Sequence, residues 1–371
     1  MKQIILARYG EIHLKGANKG LFLNRLLSNL RRRLPDTKIH HDDNRIIIET
    51  TGDQRYPLQV TTNTFGIVSA SVAVVLDSTP ESILNYLKKI KINGSFKVEV
   101  NRADKRFPHK SPEFARTCGG MILDNNKELN VDLHNPGTTV CIDIRSSATY
   151  VYTEVIEGVG GLPVGVSGRA IVMLSGGIDS PVAAWLAQKR GLSTDFIHFE
   201  TPPYTNELAM DKVKKLAGIV GGRLFVVPFT EISLAIRKTC APELMITIMR
   251  RFMVRIAERL GLDNKLDCII TGENLAQVAS QTIAGITSNN FCATELPILR
   301  PLVTYDKSEI IALAKKIGTY ETSIIPHEDC CSIFVPRNPA INPKLEFVIR
   351  EESKLDVTAL VERAVKEVNT M

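Results

Sequence analysis

Residues 170–191 read AIVMLSGGIDSPVAAWLAQKRG, and this stretch decides the fold of the second half of the chain. Its apolar start, residues 170–174, predicts a buried strand, and residues 181–190 predict a helix that ends at Gly191. The loop between them contains Gly176 and Gly177, whose backbone N–H groups can approach an anion at the positive end of the helix dipole. We therefore expect a phosphate-binding loop here.

The alternation of strand and helix continues beyond this loop. Segments at 195–199, 224–228 and 267–271 predict further strands, and helical segments lie between them. Alternation of this kind implies right-handed crossovers and a doubly wound parallel sheet, an α/β fold. Ligands of such sheets bind beyond the carboxyl ends of the strands, which is where the loop after residue 174 falls.

The loop differs from two common nucleotide-binding motifs. It lacks the Lys-Ser/Thr ending of a Walker A motif, so transfer of the γ-phosphoryl group is not the expected chemistry. It also lacks the GxGxxG spacing of dinucleotide-binding folds. For the glycine-rich turn alone, a purely structural role remains the alternative.

The first half of the chain combines short strands and helices in an α+β pattern. Residues 20–34 predict a helix between two short strands, and Thr79 with Pro80 predicts the start of another helix. A glycine-rich connector at 158–168 separates this half from the second. We expect three domains, at residues 1–55, 56–165 and 166–371.

Composition is that of a soluble globular protein with more than one domain. The chain has 371 residues, too many for one ordinary core, with 44% hydrophobic and 23% charged residues. No run approaches the roughly 18 apolar residues of a membrane span, and the early charges of MKQIILARYGEIHLKG do not fit a signal peptide. These features predict a cytoplasmic protein with no membrane partner.

Charge is distributed unevenly, although the net charge is only +6. Residues 1–165 hold 22 lysines and arginines against 17 aspartates and glutamates, whereas the remainder is nearly balanced. A basic excess confined to one half indicates a polyanion partner there, with an ordinary solvated surface as the alternative.

The seven cysteines are an odd number scattered along the chain, which fits a reducing compartment better than a disulfide framework. No CxxC pair occurs, so we expect no structural zinc site. The cysteines are Cys118, Cys141, Cys240, Cys268, Cys292, Cys330 and Cys331.

Longer motifs identify the family that the chain resembles. SGGIDS resembles the pyrophosphate loop of ATP pyrophosphatases, which release AMP or adenylate a substrate. With the other motifs it resembles the tRNA 4-thiouridine synthetases (tRNA uracil 4-sulfurtransferases) over essentially the whole chain. This resemblance implies an N-terminal ferredoxin-like α+β unit, a THUMP RNA-binding domain and a PP-loop ATP pyrophosphatase domain. The motifs are YGEIHLKG at 9–16, SGGIDS at 175–180, HFETPP at 198–203, MRRFMVR at 249–255, TGENLAQVASQT at 271–282 and LRPLVTYDK at 299–307.

The resemblance also implies roles for individual residues. Asp179 and Lys307 would be needed for adenylation, and Lys307 could neutralise the charge that builds on the leaving pyrophosphate. Mg²⁺ is the expected companion of ATP, and Phe199 would lie against the adenine. The residues implied to contact ATP are Met173, Leu174, Ser175, Gly176, Gly177, Ser180, His198, Phe199, Arg250, Gly272 and Gln281.

The implied reaction is thiolation of the uridine at tRNA position eight to 4-thiouridine. The oxygen at C4 of uracil is a poor leaving group, so adenylation turns it into departing AMP, and a cysteine persulfide supplies the sulfur. A cysteine desulfurase is the implied persulfide donor, and some relatives also take part in thiamine synthesis. A sulfide-carrying iron–sulfur cluster is less favoured, because its ligands would have to converge from distant cysteines.

Two adjacent cysteines, Cys330 and Cys331, compete for the role of sulfur carrier. Counting back from Pro339 favours Cys331, but only narrowly. Many relatives carry a C-terminal rhodanese domain with a second essential cysteine, and this sequence stops before one. Adjacent Cα atoms lie about 3.8 Å apart, below the usual disulfide range, so we expect the resolving thiol to be elsewhere or external.

A short basic stretch predicts the RNA contacts. Phe107 and His109 are interleaved with its basic residues and would add stacking surfaces to the phosphate contacts. A mobile charged loop is the alternative. The basic residues are Arg102, Lys105, Arg106, Lys110 and Arg116.

Two other functions stay open from the residues alone. One is another adenylating pyrophosphatase, such as a 2-thiolating or ammonia-using ligase. The other is an RNA-binding protein with a degenerate nucleotide domain, and the intact SGGIDS argues against it. A homodimer and a monomer both fit the sequence.

Overall fold

Residues 2–204, 207–278, 281–326 and 339–371 are described by a computed structural model of the chain. The chain divides into two units, Met1–Val164 and Gly165–Met371. Each unit has its own sheet and its own hydrophobic cores.

The sheet of the first unit is mixed. Its described strands are β1 (Gln3–Tyr9), β2 (Lys38–Asp42), β3 (Arg45–Glu49), β4 (Ile67–Leu76), β5 (Ser95–Arg102), β6 (Asn130–Val131), β7 (Thr138–Ile144), β8 (Thr149–Tyr152) and β9 (Ile156–Glu157). Their order is β2-β3-β1-β4-β8-β7-β5-β6, and β9 pairs with β4. The β5 pairings with β6 and β7 are parallel and the others are antiparallel.

Helices cover this sheet, and one of them begins at the predicted cap. The Thr79 side chain accepts a hydrogen bond from Ser82 N at 3.2 Å, directly before Pro80. The predicted helix start is therefore confirmed. The helices of this unit are α1 (Lys19–Arg33), α2 (Arg55–Thr62), α3 (Pro80–Leu87) and α4 (Ser111–Asn125).

Two main cores lie in the first unit. Leu26 and Leu30 of α1 pack with residues of β1 and β3, and Val60 of α2 belongs to the same core. Phe114 of α4 packs in a second core with Phe96 of β5. Residues after position 55 thus contribute to the first core, and a domain boundary between 55 and 56 stays a prediction.

The second unit has a mostly parallel sheet. Its described strands are β10 (Arg169–Met173), β11 (Ser193–Glu200), β12 (Leu224–Pro228), β13 (Cys268–Ile270), β14 (Ile298–Leu299) and β15 (Asn369–Thr370), in the order β14-β13-β10-β11-β12-β15. The two-residue strands β14 and β15 were not predicted, and β15 pairs antiparallel with β12 at one edge.

Helices cover both faces of this sheet. Ile171 belongs to one core, whereas Ala170 and Val172 belong to the other, because successive side chains of a strand point to opposite faces. The doubly wound α/β fold is therefore confirmed. The helices are α5 (Asp179–Lys189), α6 (Glu207–Val220), α7 (Thr230–Thr239), α8 (Met245–Asp263), α9 (Ile283–Asn290), α10 (Lys307–Ile317), α11 (Tyr320–Ser323), α12 (Leu345–Glu352) and α13 (Val357–Lys366).

The start of α5 differs from the sequence-based prediction. The helix begins at Asp179, two residues before the predicted start, so Asp179 and Ser180 lie in its first turn. Within the described ranges, no helix is both long and apolar enough to cross a membrane.

Adjacent glycines before β12 give a matched test of the packing. A Cβ on Gly222 would lie 2.2 Å from Thr194 O, whereas one on Gly221, at φ +88°, would meet nothing within 4 Å. We expect Gly221→Ala to cost about 1–2 kcal/mol through its left-handed backbone. Gly222→Ala should cost about 3 kcal/mol or more, because backbone must move. Urea unfolding followed by circular dichroism measures both, and equal losses would contradict the packing described.

Candidate active site

The loop between β10 and α5 is held together by two serines. Ser180 Oγ accepts a hydrogen bond from Ser175 N at 2.9 Å and lies 3.1 Å from Ser175 Oγ. Gly177 N donates to Ser175 Oγ at 3.3 Å. These contacts fix the loop at the helix N-terminus, where backbone N–H groups and the helix dipole favour an anion.

The neighbouring strand β11 supports the start of this loop. Leu174 N donates to Ile197 O at 2.8 Å, and His198 Nδ1 lies 2.9 Å from Leu174 O. The Phe199 ring is only 5% exposed and packs edge-on against Phe229 at a centroid distance of 5.3 Å. Phe199 is thus largely buried, and its contact with an adenine stays a prediction.

Gly272, which follows β13, lies against the first turn of α5. A Cβ at this position would be 2.8 Å from Ser180 N and 3.1 Å from Asp179 C. Both atoms belong to the backbone, so no side chain can be accommodated without moving the loop. Glycine is required here because the chain segments approach so closely.

A salt bridge joins the loop to α10. Lys307 Nζ lies 2.6 Å from Asp179 Oδ1, and Gln277 Nε2 donates to Asp179 Oδ2 at 2.8 Å. Lys307 is the first residue of α10, whose N-cap Asp306 forms a capping box with Glu309. The structure thus brings the predicted catalytic pair together and adds Gln277, which sequence reasoning had not singled out.

A buried carboxylate, Glu273, lies directly after Gly272. Its Oε1 accepts from Arg250 Nη1 at 2.7 Å and from Asn289 Nδ2 at 3.1 Å. Its Oε2 accepts from Arg300 Nε at 2.6 Å and from Thr271 Oγ1 at 3.1 Å. Arg250 was predicted as an ATP contact, but its pairing with Glu273 was not.

The two arginines keep this carboxylate ionised. Burial acts to raise the pKa of Glu273, but the charges of Arg250 and Arg300 outweigh it and hold the pKa below its ordinary value. Because two cations surround one anion, the group carries a net positive charge. Glu273 directly follows Gly272, the residue that lies against the first turn of α5.

Gln281 closes the loop that follows β13. Its Oε1 accepts from Asn274 N at 3.3 Å, and its backbone oxygen accepts from Ala276 N at 2.8 Å. The Asn274 amide also donates to Tyr305 O. Contact of Gln281 with ATP stays a prediction, as does contact of Met173.

The predicted sulfur carriers, Cys330 and Cys331, lie outside the described residues. Ser323, just before the segment 327–338, donates from Oγ to Gly177 O at 3.3 Å. Lys212 Nζ donates to Ile325 O at 2.7 Å. Beyond the segment, Ile341 O accepts from Thr282 Oγ1 at 2.7 Å. Both flanks are therefore attached to elements of the candidate site.

The five described cysteines are free thiols with raised pKa values. Burial raises the pKa of Cys118 to about 12. Burial likewise raises the pKa of Cys240, Cys268 and Cys292 to about 11, and that of Cys141 is also raised. Since the thiolate is the nucleophile, these thiols are poorly suited to carry sulfur at neutral pH.

The predicted RNA-binding stretch has one aromatic residue in a different role. Phe107 is 5% exposed and packs edge-on against Phe114 at 5.0 Å, so its proposed stacking surface for RNA was wrong. Arg102 Nη1 donates to the carbonyl oxygens of Phe107 and His109, both at 3.1 Å. Arg102 thus also shapes the loop.

The other basic residues of the stretch are exposed. Arg106 pairs with Asp104, with Nη2 and Oδ2 2.8 Å apart. Lys105, Lys110 and Arg116 are accessible to a polyanion. RNA contact by these residues stays a prediction.

The side chains near the loop do not form a metal site by themselves. Over the described ranges, no group of three histidine, cysteine, aspartate or glutamate side chains could hold a metal ion. Both Asp179 oxygens are engaged by Lys307 and Gln277. We therefore derive no step through a protein-bound metal.

The fold and the loop define a PP-loop nucleotide-binding domain that follows ferredoxin-like and THUMP domains. Three family models match: "ThiI ferredoxin-like domain" over residues 4–71, "THUMP domain" over 77–154, and "Thiamine biosynthesis protein (ThiI)" over 165–357. The chain belongs to the ThiI family. This confirms the resemblance identified from the motifs.

Curated relatives match over nearly their whole length. The chain is 44% identical over 379 residues to a "Probable tRNA sulfurtransferase" of Thermoanaerobacter sp. (strain X514), with 99% of each chain covered. It is 44% identical over 387 residues to a protein of the same name from Clostridium perfringens (strain 13 / Type A), covering 100% of this chain and 99% of the relative.

Two solved structures also match most or all of the chain. A crystal structure described as a 4-thiouridine synthetase–RNA complex with bound ATP has a TM-score of 0.90 and 33% identity, covering 100% of this chain and 99% of that one. PH1313 from Pyrococcus horikoshii Ot3 has a TM-score of 0.68 and 26% identity, covering 85% and 99%.

Gly272→Ala is expected to weaken ATP binding about tenfold or more, because a Cβ would displace the first turn of α5. Isothermal titration calorimetry measures the affinity. Gly218→Ala in α6 is the control, since its Cβ would meet nothing within 4 Å and should leave ATP affinity unchanged. Wild-type affinity in Gly272→Ala would show that the close approach does not matter for the nucleotide.

Proposed function

We propose that this protein is a tRNA sulfurtransferase that uses ATP to convert the uridine at tRNA position eight to 4-thiouridine. The observation that carries the proposal is the serine-braced loop at the N-terminus of α5 with the Lys307–Asp179 pair, at 2.6 Å, beside it. The names of the curated relatives and of the RNA- and ATP-bound structure support the same substrate and cosubstrate.

Adenylation is the first step of the proposed reaction. The O4 oxygen of the uracil attacks the α-phosphorus of ATP, and the bond to the β-phosphate breaks with release of pyrophosphate. The loop N–H groups hold the β- and γ-phosphates, and Lys307 balances the charge that develops on the leaving group. Asp179 orients Lys307 before ATP binds. Mg²⁺ accompanies ATP as part of the substrate.

Sulfur transfer is the second step. The terminal sulfur of a cysteine persulfide attacks C4 of the adenylated uracil, and AMP departs. A thiol then attacks the cysteine sulfur, which leaves 4-thiouridine on the tRNA and a disulfide on the protein. This resolving thiol is another cysteine of the chain or an external thiol. A cysteine desulfurase supplies the persulfide.

We place the persulfide on Cys331, with Cys330 as the alternative. The raised pKa values of the five described thiols disfavour those cysteines as carriers. Ser323, the last residue of α11, donates from Oγ to Gly177 O in the phosphate loop at 3.3 Å. An iron–sulfur carrier is not favoured.

We assign tRNA binding to the first unit, through Lys105, Arg106, Lys110 and Arg116 together with Arg102. The exposure of Lys105, Arg106, Lys110 and Arg116 and the basic excess of residues 1–165 support this assignment. The matched THUMP domain covers the same stretch. The family description, "Thiamine biosynthesis protein (ThiI)", also supports a second role in sulfur supply for thiamine synthesis. The cytoplasm is the expected location.

Asp179→Ala and Lys307→Ala are each expected to lower AMP transfer to tRNA by about 10²–10³-fold, because each removes part of the charge arrangement at the phosphates. Binding of tRNA should stay within a few-fold of wild type. Pyrophosphate release in the presence of tRNA measures the first effect, and a filter-binding assay measures the second. The exposed Lys316→Ala, on the same helix, is the matched control.

Normal pyrophosphate release by both variants would contradict the assigned roles. Pyrophosphate release without any change in the tRNA would instead favour another adenylating pyrophosphatase. No pyrophosphate release by the wild type would favour an RNA-binding protein with a degenerate nucleotide domain.

Cys331→Ser is expected to adenylate tRNA normally but to form no 4-thiouridine, because only the second step needs the thiolate. Cys330→Ser should keep part of the thiolation activity, and Cys141→Ser should keep all of it. Adenylation and 4-thiouridine are assayed separately by mass spectrometry of the tRNA. A dead Cys330→Ser with an active Cys331→Ser would move the carrier by one residue. Normal thiolation by both variants would show that neither Cys330 nor Cys331 is the sulfur carrier.

A further inference from the structure

Two adjacent arginines of α8 enter two different buried ion clusters. Arg250 belongs to the Glu273 cluster, made of Arg250, Glu273, Asn289 and Arg300. Arg251 belongs to the Glu352 cluster, made of Arg251, Arg255, Ser288 and Glu352. Helix α9 contributes Ser288 and Asn289, again adjacent residues, to the two clusters. Each cluster has one carboxylate and two arginines, which makes them a matched pair.

The Glu352 cluster satisfies its own hydrogen bonds. Arg251 Nε and Nη2 donate to the two Glu352 oxygens at 3.0 and 2.7 Å, and its Nη1 donates to Ser288 O at 2.7 Å. Arg255 donates to both Glu352 oxygens, at 2.6 and 2.8 Å. Side-chain exposure is 1% for Arg251 and 6% for Glu352. This cluster fastens α12 to α8.

The Glu273 cluster leaves polar groups unused. Arg300 Nη2 and Asn289 Oδ1 are buried and have no hydrogen-bond partner in the part of the chain that the structure describes. Arg250 uses only Nη1 on Glu273, and its side chain is 23% exposed. Buried groups without partners are rare in native structures and call for an explanation. The unused hydrogen-bonding groups indicate that the Glu273 cluster binds a further polar group.

The position of the Glu273 cluster indicates that this further group is an anion. Glu273 follows Gly272, whose missing Cβ would be 2.8 Å from Ser180 N in the phosphate loop. The residue next to this contact with the phosphate loop therefore holds a cluster that carries a net positive charge. Fixed charges act strongly at such sites, because they need not reorganise when the ligand arrives.

We propose that Glu273 is a positioning residue for ATP, which holds Arg250 so that its remaining guanidinium nitrogens bind the phosphate groups of the nucleotide. Arg300 is held by the same carboxylate and adds a second cation. This inference rests on the proposed function, since it takes ATP as the ligand at this edge of the sheet. The carboxylate is needed because two neighbouring guanidinium groups would otherwise repel each other.

The matched clusters separate positioning from stability. Glu273→Gln and Glu352→Gln each remove one buried carboxylate from between two arginines, so both should lower the thermal unfolding midpoint. Only Glu273→Gln should raise the KM for ATP in tRNA-dependent pyrophosphate release, by about tenfold or more, with a smaller change in kcat. Its KM for tRNA should stay at the wild-type value.

A double-mutant cycle tests whether Glu273 acts through Arg250. The Arg250→Ala/Glu273→Gln variant should lose less ATP affinity than the product of the two single-variant losses, because Glu273 acts largely through Arg250. A loss of ATP affinity in the double variant equal to the product of the two single-variant losses would overturn the proposal. Equal ATP KM values for Glu273→Gln and Glu352→Gln would overturn it too.

A second variant and a second measurement test the proposal even if Glu273→Gln does not fold or the proposed function is wrong. If Glu273→Gln does not fold, Glu273→Asp keeps the charge but shortens the side chain, and a wild-type KM for ATP in that variant would overturn the proposal. Calorimetric ATP affinity is measured in parallel. If the wild type binds ATP but releases no pyrophosphate with tRNA, the proposed function fails, while the ATP affinities still decide the role of Glu273.

Discussion

The contact between the end of β13 and the first turn of α5 is the constraint on which the candidate site depends. It exists because residue 272 has no side chain, with backbone of Ser180 2.8 Å from where a Cβ would lie. This approach puts Glu273 beside the phosphate loop and lets Gln277 reach Asp179 at 2.8 Å. One glycine therefore couples the anion-binding loop to the polar residues that surround it.

Cations at this edge of the sheet are each restrained by a carboxylate. Lys307 pairs with Asp179, and Arg250 and Arg300 pair with Glu273. The Lys307–Asp179 pair is balanced in charge, whereas the group formed by Glu273, Arg250 and Arg300 keeps one positive charge in excess. In the proposed reaction, the phosphates of ATP would meet this excess positive charge, which the carboxylate already holds in place. By contrast, burial raises the pKa values of Cys240, Cys268 and Cys292 in the second unit, so these thiols are weak nucleophiles at neutral pH.

Local patterns predicted much of the fold. The strands β10 and β12 follow from runs of apolar residues, the Thr79 cap follows from its capping residues, and the loop at 175–180 follows from its glycines. The motif order predicted the family. What could not be predicted depends on contacts between distant positions. Gln277 lies 98 residues from Asp179, β15 has two residues, and the burial of Phe107 and Phe199 depends on tertiary packing. No spacing rule reports such contacts.

The first step of the proposed reaction is adenylation of one uridine. It is measured most directly in a mixture that contains no sulfur donor. Purified protein is incubated with ATP and an unmodified tRNA transcript, and nuclease fragments of the tRNA are weighed by mass spectrometry. We expect one AMP attached to the uridine at position eight, with an equal amount of pyrophosphate released. AMP at another nucleotide, or ATP cleavage to ADP with the tRNA unchanged, would contradict it.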